Sequence, residues 1–268
     1  MGCGLSLPRA PAPTLARAPP ATSIDADLLA LPPQTSRGVH ADYRVSNTLL
    51  GKGSFGAVWL GHNRVTGEAV AIKLLPRTLK AASLAREYRV LSTLLAPHPA
   101  VVEFIAGYST RSEVQLVTAL CSGGELFDRI LEQGPLPEGV AAIGIAQIAS
   151  GLCWLHERGI IHRDIKPENI MISSTEAPEL WQIGDFGLAE LCLPGQRLSK
   201  SCGTWAYAAP EMQSHDYSHG FDLWSLGVLA YVVLVGLHPF DPEGRSPPHD
   251  IRARARAGAF SFDAPECR

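Results

Sequence analysis

Apolar and polar positions alternate in the first half of the chain in a way that predicts a small antiparallel sheet. Residues 57–60 and 69–72 are two apolar runs, and a polar turn at residues 62–67 joins them. Two such runs with a short polar connection indicate a β-hairpin. Residues 114–121 alternate between apolar and polar side chains and therefore predict a further strand.

Two other segments predict helices. Residues 84–91 separate the hairpin from the next strand and are assigned to a helix. Residues 223–237 contain no charged side chain. This stretch is shorter than the ~20 residues that cross a bilayer core, so it predicts a buried central helix and not a membrane span.

The N-terminal segment differs in composition from the rest of the chain. Seven of the 21 prolines fall within the first 33 residues, and alanine and leucine fill much of the remainder. Proline removes backbone donors and such a stretch cannot nucleate helix or sheet. We therefore expect a disordered leader over residues 1–41.

The leader carries a pattern typical of lipidation. Gly2 fits the MGxxxS acceptor sequence for myristoylation, and Cys3 offers a site for a second, palmitoyl chain. One acyl chain binds a membrane weakly and two chains hold stably, so the pattern predicts membrane anchoring through Gly2 and Cys3. The competing interpretation is an organellar transit peptide, because Arg9 and Arg17 occur before the first acidic residue.

Composition narrows the class of protein. A formal charge of −3 and a pI near 6.3 give no electrostatic reason to expect nucleic acid as a partner. The six cysteines form no CxxC pair, and the chain has no secretory apolar segment. Scattered thiols of this kind indicate a reducing, cytoplasmic compartment without disulfides or structural zinc. The arginines at 252, 254 and 256 are interpreted as a solvated helix face.

The most informative motif lies in the second half of the chain. Residues 162–169 read HRDIKPEN, and residues 185–187 read DFG. This spacing provides a carboxylate, an ammonium group, a carboxamide and a second carboxylate, the groups that protein-kinase phosphoryl transfer uses. Either triplet alone is commonly an ordinary turn with a solvated carboxylate. Here further elements follow in the order and at the distances of the same pattern.

The chain resembles a eukaryotic protein kinase over about residues 42–268, and it is similar to the serine/threonine branch related to calcium/calmodulin-dependent and calcium-dependent kinases. The resemblance implies an α+β, bilobal fold. Its β-rich N-lobe would cover about residues 42–117, the hinge about 118–122 and the helical C-lobe about 123–268. It also implies C-lobe helices beyond those of this sequence, so the C-lobe is expected to be incomplete. The length and the 46% hydrophobic content suit two lobes of one catalytic unit.

The resemblance also implies catalytic roles. Asp164 would accept the proton of a substrate hydroxyl, and Lys166 would neutralise the moving phosphoryl group. Asn169 and Asp185 would hold Mg²⁺ against the oxygens of ATP. Thr204 would bond the catalytic aspartate and lysine and, with Lys166, argues for a serine/threonine kinase and against a tyrosine kinase.

Three positions would support the catalytic loop, which is the HRDIKPEN segment at residues 162–169. Lys73, at the end of the hairpin's second strand, matches the lysine that grips the α- and β-phosphates, and Glu87 is its expected partner on the next helix. The alternative for Glu87 is an exposed helix carboxylate, since Arg86 and Arg89 flank it. Asp222, in a DxWSxG segment, would brace the backbone of the catalytic loop from a buried helix.

A glycine-rich run, GKGSFGAV at residues 51–58, indicates a phosphate-binding hairpin. Glycine allows backbone amides to approach phosphate oxygens, which a Cβ would prevent. The same spacing could open a dinucleotide-binding unit, but that unit needs a helix after the third glycine, where this sequence predicts a strand. In the hinge, Thr118 would be the gatekeeper, and backbone groups of Ala119 and Cys121 would bond adenine. The resemblance assigns the nucleotide site to Leu50, Gly51, Lys52, Gly53, Ser54, Phe55, Gly56, Val58, Ala71, Lys73, Thr118, Ala119, Cys121, Glu125, Glu168, Met171 and Asp185.

Regulation and substrate choice rest on two smaller sets of residues. By the same resemblance, the activation segment runs from Asp185 to the APE residues at 209–211. Within it, Ser199 and Ser201 are candidate phosphosites whose phosphate could pair with Arg163, and ordinary solvated serines are the alternative. Glu125 and Glu168 stand where related kinases place carboxylates that receive arginines preceding the phosphorylated residue. The resemblance therefore predicts protein substrates with basic residues upstream of Ser or Thr.

Two functions remain from the sequence. The first is an ATP- and Mg²⁺-dependent protein serine/threonine kinase. The second is a membrane-tethered pseudokinase or nucleotide-binding scaffold without useful turnover, which the incomplete C-lobe would explain. The presence of Lys73, Asp164, Asn169 and Asp185 favours the first.

Overall fold

The structure is a computed structural model. It describes residues 31–53, 56–94, 96–174, 179–193, 195–214 and 216–262. Of the positions singled out by sequence, Gly2, Cys3, Arg9, Arg17, Ser54 and Phe55 lie outside these residues.

The first half of the described chain forms a five-stranded antiparallel sheet in the order β1-β2-β3-β5-β4. Its strands are β1 (Tyr43–Gly53), β2 (Gly56–Asn63), β3 (Ala69–Pro76), β4 (Phe104–Ser109) and β5 (Glu113–Ala119). The hairpin predicted from the two apolar runs is the β2–β3 pair. In the middle of the sheet, Ile72 of β3 is directly paired with Val117 of β5, and both side chains are fully buried.

The sheet is covered on one edge by residues that the composition assigns to the leader. Gln34 forms a bridge with Ser109 of β4, and a 3-10 turn follows at Gly38–Ala41. Val39 is fully buried, and its backbone N–H donates to Gln115 Oε1 at 2.6 Å. An apolar side chain and a buried hydrogen bond therefore hold the described residues before position 42 on the sheet, and the domain boundary at residue 41 stays a prediction.

Helix α1 (Ala81–Thr93) packs against the sheet and contains the predicted helical stretch. Leu84, Glu87 and Leu91 are buried on one face, at the i, i+3, i+7 spacing of a helix that rests on a core. Glu87 is therefore an inward-facing carboxylate and not an exposed one. A carboxylate in this position requires a partner, which Lys73 supplies.

The second half is helical, and together the two parts make an α+β, two-lobed fold. Its helices are α2 (Leu126–Gln133), α3 (Glu138–Glu157), α4 (Gly220–Val235) and α5 (Pro248–Ala257). Among the described residues α3 is the one helix long and apolar enough to cross a membrane by length and composition. In this fold it packs against α4 and the Trp181 strand, and a Cβ at Gly144 would lie 2.4 Å from the Trp181 ring. Glycine at that position is what allows the close contact.

Helix α4 is the helix predicted from the uncharged stretch. It begins three residues before Leu223 and ends at Val235, where Gly236 adopts the left-handed conformation. One face is buried through side chains such as Val228, Leu229 and Val233, whereas Leu223 and Leu234 are 56% and 42% exposed. The helix is therefore buried on one side only within the described residues.

Two short strand pairs position the loops between the lobes. The first pairs β6 (Ile160–Ile161) with β9 (Glu190–Leu191), and the second pairs β7 (Ile170–Ile172) with β8 (Trp181–Ile183). The loop that carries HRDIKPEN runs from β6 to β7. The DFG residues follow β8, so the second pair brings the two motifs side by side.

Candidate active site

Asp164 is held by hydrogen bonds to both of its carboxylate oxygens. Oδ1 accepts from the backbone N–H of Thr204 at 2.8 Å and from its hydroxyl at 2.9 Å. Oδ2 accepts from Asn169 Nδ2 at 2.9 Å and lies 3.2 Å from Lys166 Nζ. Lys166 Nζ also donates to Thr204 Oγ1 at 2.8 Å, so Thr204 links the aspartate and the lysine as the sequence predicts.

Gly203 makes this approach possible. Its φ is +91°, a backbone conformation that side chains rarely adopt, and a Cβ there would lie 2.3 Å from the carbonyl oxygen of Arg163. A larger residue would push the activation segment away from the catalytic loop. The Thr204 contacts with Asp164 depend on this glycine.

Lys73 connects the sheet, helix α1 and the DFG aspartate. Its Nζ lies 2.7 Å from Glu87 Oε1 and 2.7 Å from Asp185 Oδ1. Asp185 adopts a left-handed φ of +46°, and its Oδ1 also accepts from the backbone N–H of Gly187. Phe186 is buried and packs edge-on against His162. Lys73 therefore forms ion pairs with both the glutamate of α1 and the DFG aspartate.

The charges of this triad shift one another's pKa values. Burial lowers the pKa of Lys73, but the two adjacent carboxylates outweigh it and raise the pKa above its ordinary value. Burial tends to raise the pKa of Asp185, and the Lys73 charge reverses this and lowers it. Burial raises the pKa of Glu87, with Lys73 opposing. Lys73 and Asp185 are consequently charged at neutral pH.

Asp222 of α4 binds the backbone of the catalytic loop. Its Oδ2 accepts from the His162 N–H at 2.9 Å and its Oδ1 from the Arg163 N–H at 2.8 Å. His156 Nε2 lies 2.8 Å from Oδ2. Asp222 is fully buried, so this brace is isolated from solvent.

A cavity of about 970 Å³ lies between the lobes and is lined by Lys73, Glu87, Asp164, Lys166, Asn169, Asp185 and Thr204. Of the residues that the sequence assigns to the nucleotide site, every one that the structure describes lines it. They are Leu50, Gly51, Lys52, Gly53, Gly56, Val58, Ala71, Lys73, Thr118, Ala119, Cys121, Glu125, Glu168, Met171 and Asp185.

The hinge side of the cavity gives more detail than the sequence does. The backbone N–H of Ala119 donates to the Glu103 carbonyl at 2.9 Å, so a contact from Ala119 to adenine would use its carbonyl oxygen. Burial raises the pKa of the Cys121 thiol to about 11, which keeps it protonated at neutral pH. Leu116 and Val102 also line the cavity, although sequence reasoning did not assign them to the nucleotide site.

The oxygen donors suit a hard cation such as Mg²⁺. Asn169 Nδ2 donates to Asp164, so the carboxamide oxygen of Asn169 is the atom that would face a cation. Asp185 offers carboxylate oxygens on the same side of the cavity. Mg²⁺ commonly binds one or two protein oxygens and completes its shell with phosphate and water. Among the described residues there is no cluster of three His, Cys, Asp or Glu side chains.

A negatively charged surface adjoins the cavity at Glu125 and Glu168. Burial raises the pKa of Glu125, and the neighbouring charges of Asp128 and Glu168 raise it further, against Lys166. Glu168 Oε2 is buried without a hydrogen-bond partner in the part of the chain that the structure describes. A carboxylate whose ionisation is opposed by burial and by neighbouring negative charge, as at Glu125, favours a cationic ligand.

Sequence reasoning missed a set of contacts behind the catalytic loop. Arg86 and Arg89 of α1 were treated only as flanking residues. Arg86 Nη2 donates to the Gly187 carbonyl at 2.9 Å, and Arg89 Nη2 lies 3.4 Å from Glu190 Oε1. The Oε2 atom of Glu190 lies 3.4 Å from Arg163 Nη2. These residues are far apart in sequence, and no spacing rule connects them.

The basic cluster of α5 is also less solvated than expected. The Arg252 guanidinium lies 4.9 Å from the centroid of the Trp205 ring. Arg254 Nη1 donates to the Phe240 carbonyl and to Ser246 Oγ. Trp205 directly follows Thr204, so α5 supports the segment that contacts Asp164.

A β-rich lobe and a helical lobe therefore enclose a cavity lined by Lys73, Asp164, Asn169 and Asp185. The chain matches the protein kinase domain family over residues 44–263. It therefore belongs to the protein kinase family.

Comparison with curated relatives shows which protein kinases the chain is similar to. Calcium-dependent protein kinase 10 of Arabidopsis thaliana is 38% identical over 213 residues, covering 78% of this chain and 39% of that protein. Calcium-dependent protein kinase 5 of Plasmodium berghei is 36% identical over 224 residues, covering 83% and 39%. Calcium/calmodulin-dependent protein kinase type 1 of Macrobrachium nipponense is 37% identical over 229 residues, covering 84% and 65%. Within the family the chain is thus similar to the calcium- and calmodulin-dependent serine/threonine kinases, and it spans 39% of the length of the first two.

Proposed function

We propose that this chain is an active protein serine/threonine kinase, which transfers the γ-phosphoryl group of ATP to hydroxyl groups of protein substrates. The observation that carries the proposal is the bridge that Thr204 forms between Asp164 and Lys166, next to the aligned Lys73, Glu87 and Asp185. A nucleotide-binding scaffold needs the cavity but has no use for a catalytic carboxylate held in this way.

The arrangement assigns a task to each group. Asp164 is oriented by three donors and directs a carboxylate oxygen to the hydroxyl of a substrate, whose proton it accepts. Lys166, within 3.2 Å of the same carboxylate, stabilises negative charge beside it. Lys73 would hold the phosphate chain, and Asn169 with Asp185 would hold Mg²⁺. Bound Mg²⁺ and ATP supply an activated phosphoryl group and neutralise its charge.

The test is phosphate transfer by purified protein to a serine peptide with arginines upstream. Asp164→Asn removes the proton acceptor but keeps the shape of the side chain, and general-base catalysis typically contributes ~10²–10⁴-fold to the rate. We expect kcat to fall by about that factor while ATP still binds, as measured by thermal shift. Equal transfer by the wild type and Asp164→Asn would identify a contaminating kinase and contradict the proposal.

We also propose a preference for arginine before the phosphorylated residue. The raised pKa of Glu125 and the unpartnered Oε2 atom of Glu168 support it, since an arginine would satisfy both carboxylates. Glu125→Gln should raise the KM for an arginine-containing peptide by roughly tenfold, about 1.4 kcal/mol. The KM for the same peptide with alanine in place of arginine should stay unchanged, and Glu132→Gln, an exposed change on α2, is the matched control.

Attachment to membranes is a separate proposal that rests on the sequence motif alone. Gly2 would carry a myristoyl chain and Cys3 a palmitoyl chain, and the two together would hold the protein at a membrane from the cytoplasmic side. Full-length protein expressed in eukaryotic cells with an alkyne fatty acid should incorporate the label. Gly2→Ala should abolish incorporation and Cys3→Ser should release the protein from membranes. Import into an organelle with loss of the leader would show a transit peptide instead.

A further inference from the structure

Glu190 lies between two arginines that belong to different lobes. Its Oε1 is 3.4 Å from Arg89 Nη2 on helix α1, and its Oε2 is 3.4 Å from Arg163 Nη2 in the catalytic loop. One carboxylate therefore joins the helix that carries Glu87 to the residue that precedes Asp164. The side chain of Glu190 is 20% exposed, so the contact is partly buried and solvent still reaches it.

The backbone of Glu190 is held in register for this contact. Glu190 pairs with Ile161 across the β6–β9 ladder, two positions before Arg163. The pairing fixes where the carboxylate can reach, because neighbouring strands hold their residues at a set spacing. The position of Glu190 is thus a property of the fold, set before any modification of the activation segment.

Arg163 is already occupied in this arrangement. Its Nε donates to the Leu188 carbonyl at 2.7 Å, and its Nη1 donates to the Tyr217 hydroxyl at 3.3 Å. With Nη2 at Glu190, the guanidinium makes contacts from all three nitrogens, and its side chain is 2% exposed. A phosphate added to the activation segment would have to displace a carboxylate from it.

Two further residues of α1 make the other contacts that set the position of the helix. Arg86 donates to the Gly187 carbonyl, and Glu87 binds Lys73. Arg86, Glu87 and Arg89 thus reach the beginning of the activation segment, the ATP-binding lysine and Glu190. Displacement of α1 would break all three contacts together.

We propose that Glu190 is a positioning residue that fastens α1 to the catalytic loop and takes the part that a phosphorylated side chain plays when it orders a kinase activation segment through arginines. Alignment of Lys73 with Glu87 then requires no phosphate on Ser199 or Ser201. This inference rests on the proposed kinase activity and deepens it, since it states how that activity is controlled.

The physical reason lies in the charges. Without the carboxylate, the guanidinium groups of Arg89 and Arg163 lose the one anionic group that both contact in a shielded site. A phosphate could satisfy both, and a carboxylate that is always present satisfies both without an upstream enzyme. The expected behaviour is a kinase whose α1 is in place from the time the chain folds.

The experiment compares wild type, Glu190→Gln, Glu190→Asp and the control Glu132→Gln, all treated with phosphatase and shown by mass spectrometry to be free of phosphate. Wild type should retain peptide phosphorylation within about threefold of the untreated protein. Glu190→Gln should lower kcat by about tenfold or more with a peptide KM within about twofold, and Glu190→Asp, which keeps the charge, should recover part of the loss. Deuterium exchange of α1 in the nucleotide-free protein should rise in Glu190→Gln and not in Glu132→Gln.

Each outcome decides the question. Loss of more than tenfold activity from the wild type on dephosphorylation would overturn the inference, as would wild-type kcat and wild-type exchange in Glu190→Gln. If wild type transfers no phosphate before or after treatment, the proposed kinase activity fails. The exchange of α1 in Glu190→Gln still decides in that case whether Glu190 holds the helix.

Discussion

Two carboxylates hold the catalytic loop, Asp222 from the helical lobe and Glu190 from the activation segment. Asp222 is fully buried and accepts from two backbone N–H groups and contacts His156. Glu190 is partly exposed and contacts two guanidinium groups at 3.4 Å. The first fixes the path of the backbone, whereas the second connects side chains on separate elements.

This difference separates a contact that belongs to the folded core from one that aligns the site. A buried acceptor of backbone N–H groups cannot be removed without leaving those donors unsatisfied, so it belongs to the folded core. A half-shielded ion pair between lobes can be broken and remade at low cost. We therefore expect changes at Asp222 to act on stability and changes at Glu190 to act on activity.

The strongest test of this contrast is Asp222→Asn. The amide places a donor against the backbone N–H groups of His162 and Arg163 and removes the buried charge, which typically costs ~3–5 kcal/mol when a buried pair is broken. Urea denaturation should show a loss of that order in the free energy of unfolding. Asp250→Asn, at an exposed site in the first turn of α5, should leave the midpoint almost unchanged. A loss below about 1 kcal/mol at Asp222 would remove the distinction between the two carboxylates.

A smaller effect is expected for the coupling between Glu190 and Arg89. In a double-mutant cycle with Glu190→Gln and Arg89→Gln, the coupling energy in urea denaturation should be about 0.5–1 kcal/mol, the range of partly exposed ion pairs. It should decrease from roughly 0.05 to 0.5 M salt, since partly exposed charges are screened. A coupling energy that does not change with salt would mean that Glu190 is as inaccessible to solvent as Asp222.

The smallest effect concerns pH near Asp222. Burial lowers the pKa of His219, the neighbouring His156 lowers it further, and Asp222 opposes both. The unfolded chain then binds this proton first as pH falls below about 6.5, so the folded state loses stability there. His219→Asn should flatten the decline of the unfolding free energy between about pH 7 and pH 5.5. An equal or steeper slope in the variant would contradict the assignment.

Sequence reasoning located the groups that local motifs encode. The contacts of Thr204 with Asp164 and Lys166, the Lys73–Glu87 pair and the Asp222 brace were all anticipated, because each joins residues whose motifs recur in protein kinases. Their bond lengths and burial came only from the structure. Catalytic roles for these residues remain predictions until the variants above are measured.

Other features depend on three-dimensional packing and could not be predicted. The Glu190 contacts connect residues 101 and 27 positions apart, so no periodicity reports them. Residues 34–41 follow Pro33 and contain a single large apolar residue, Val39, which enters the core of the sheet. The apolar stretch of α4 predicts burial all round, whereas Leu223 and Leu234 are exposed among the described residues. Composition cannot say which face of a helix finds a partner.

The left-handed backbone at Arg163 and Asp185 has a consequence for laboratory evolution. Within the described chain these are the residues other than glycine with positive φ, at +69° and +46°. Glycine would relieve the steric strain at either position, but it would also remove a guanidinium that is 2% exposed or a carboxylate bound to Lys73. A library screened for heat resistance is therefore expected to keep both side chains in spite of the strain. Strained positions that resist replacement by glycine would then mark groups on which the proposed phosphoryl transfer depends.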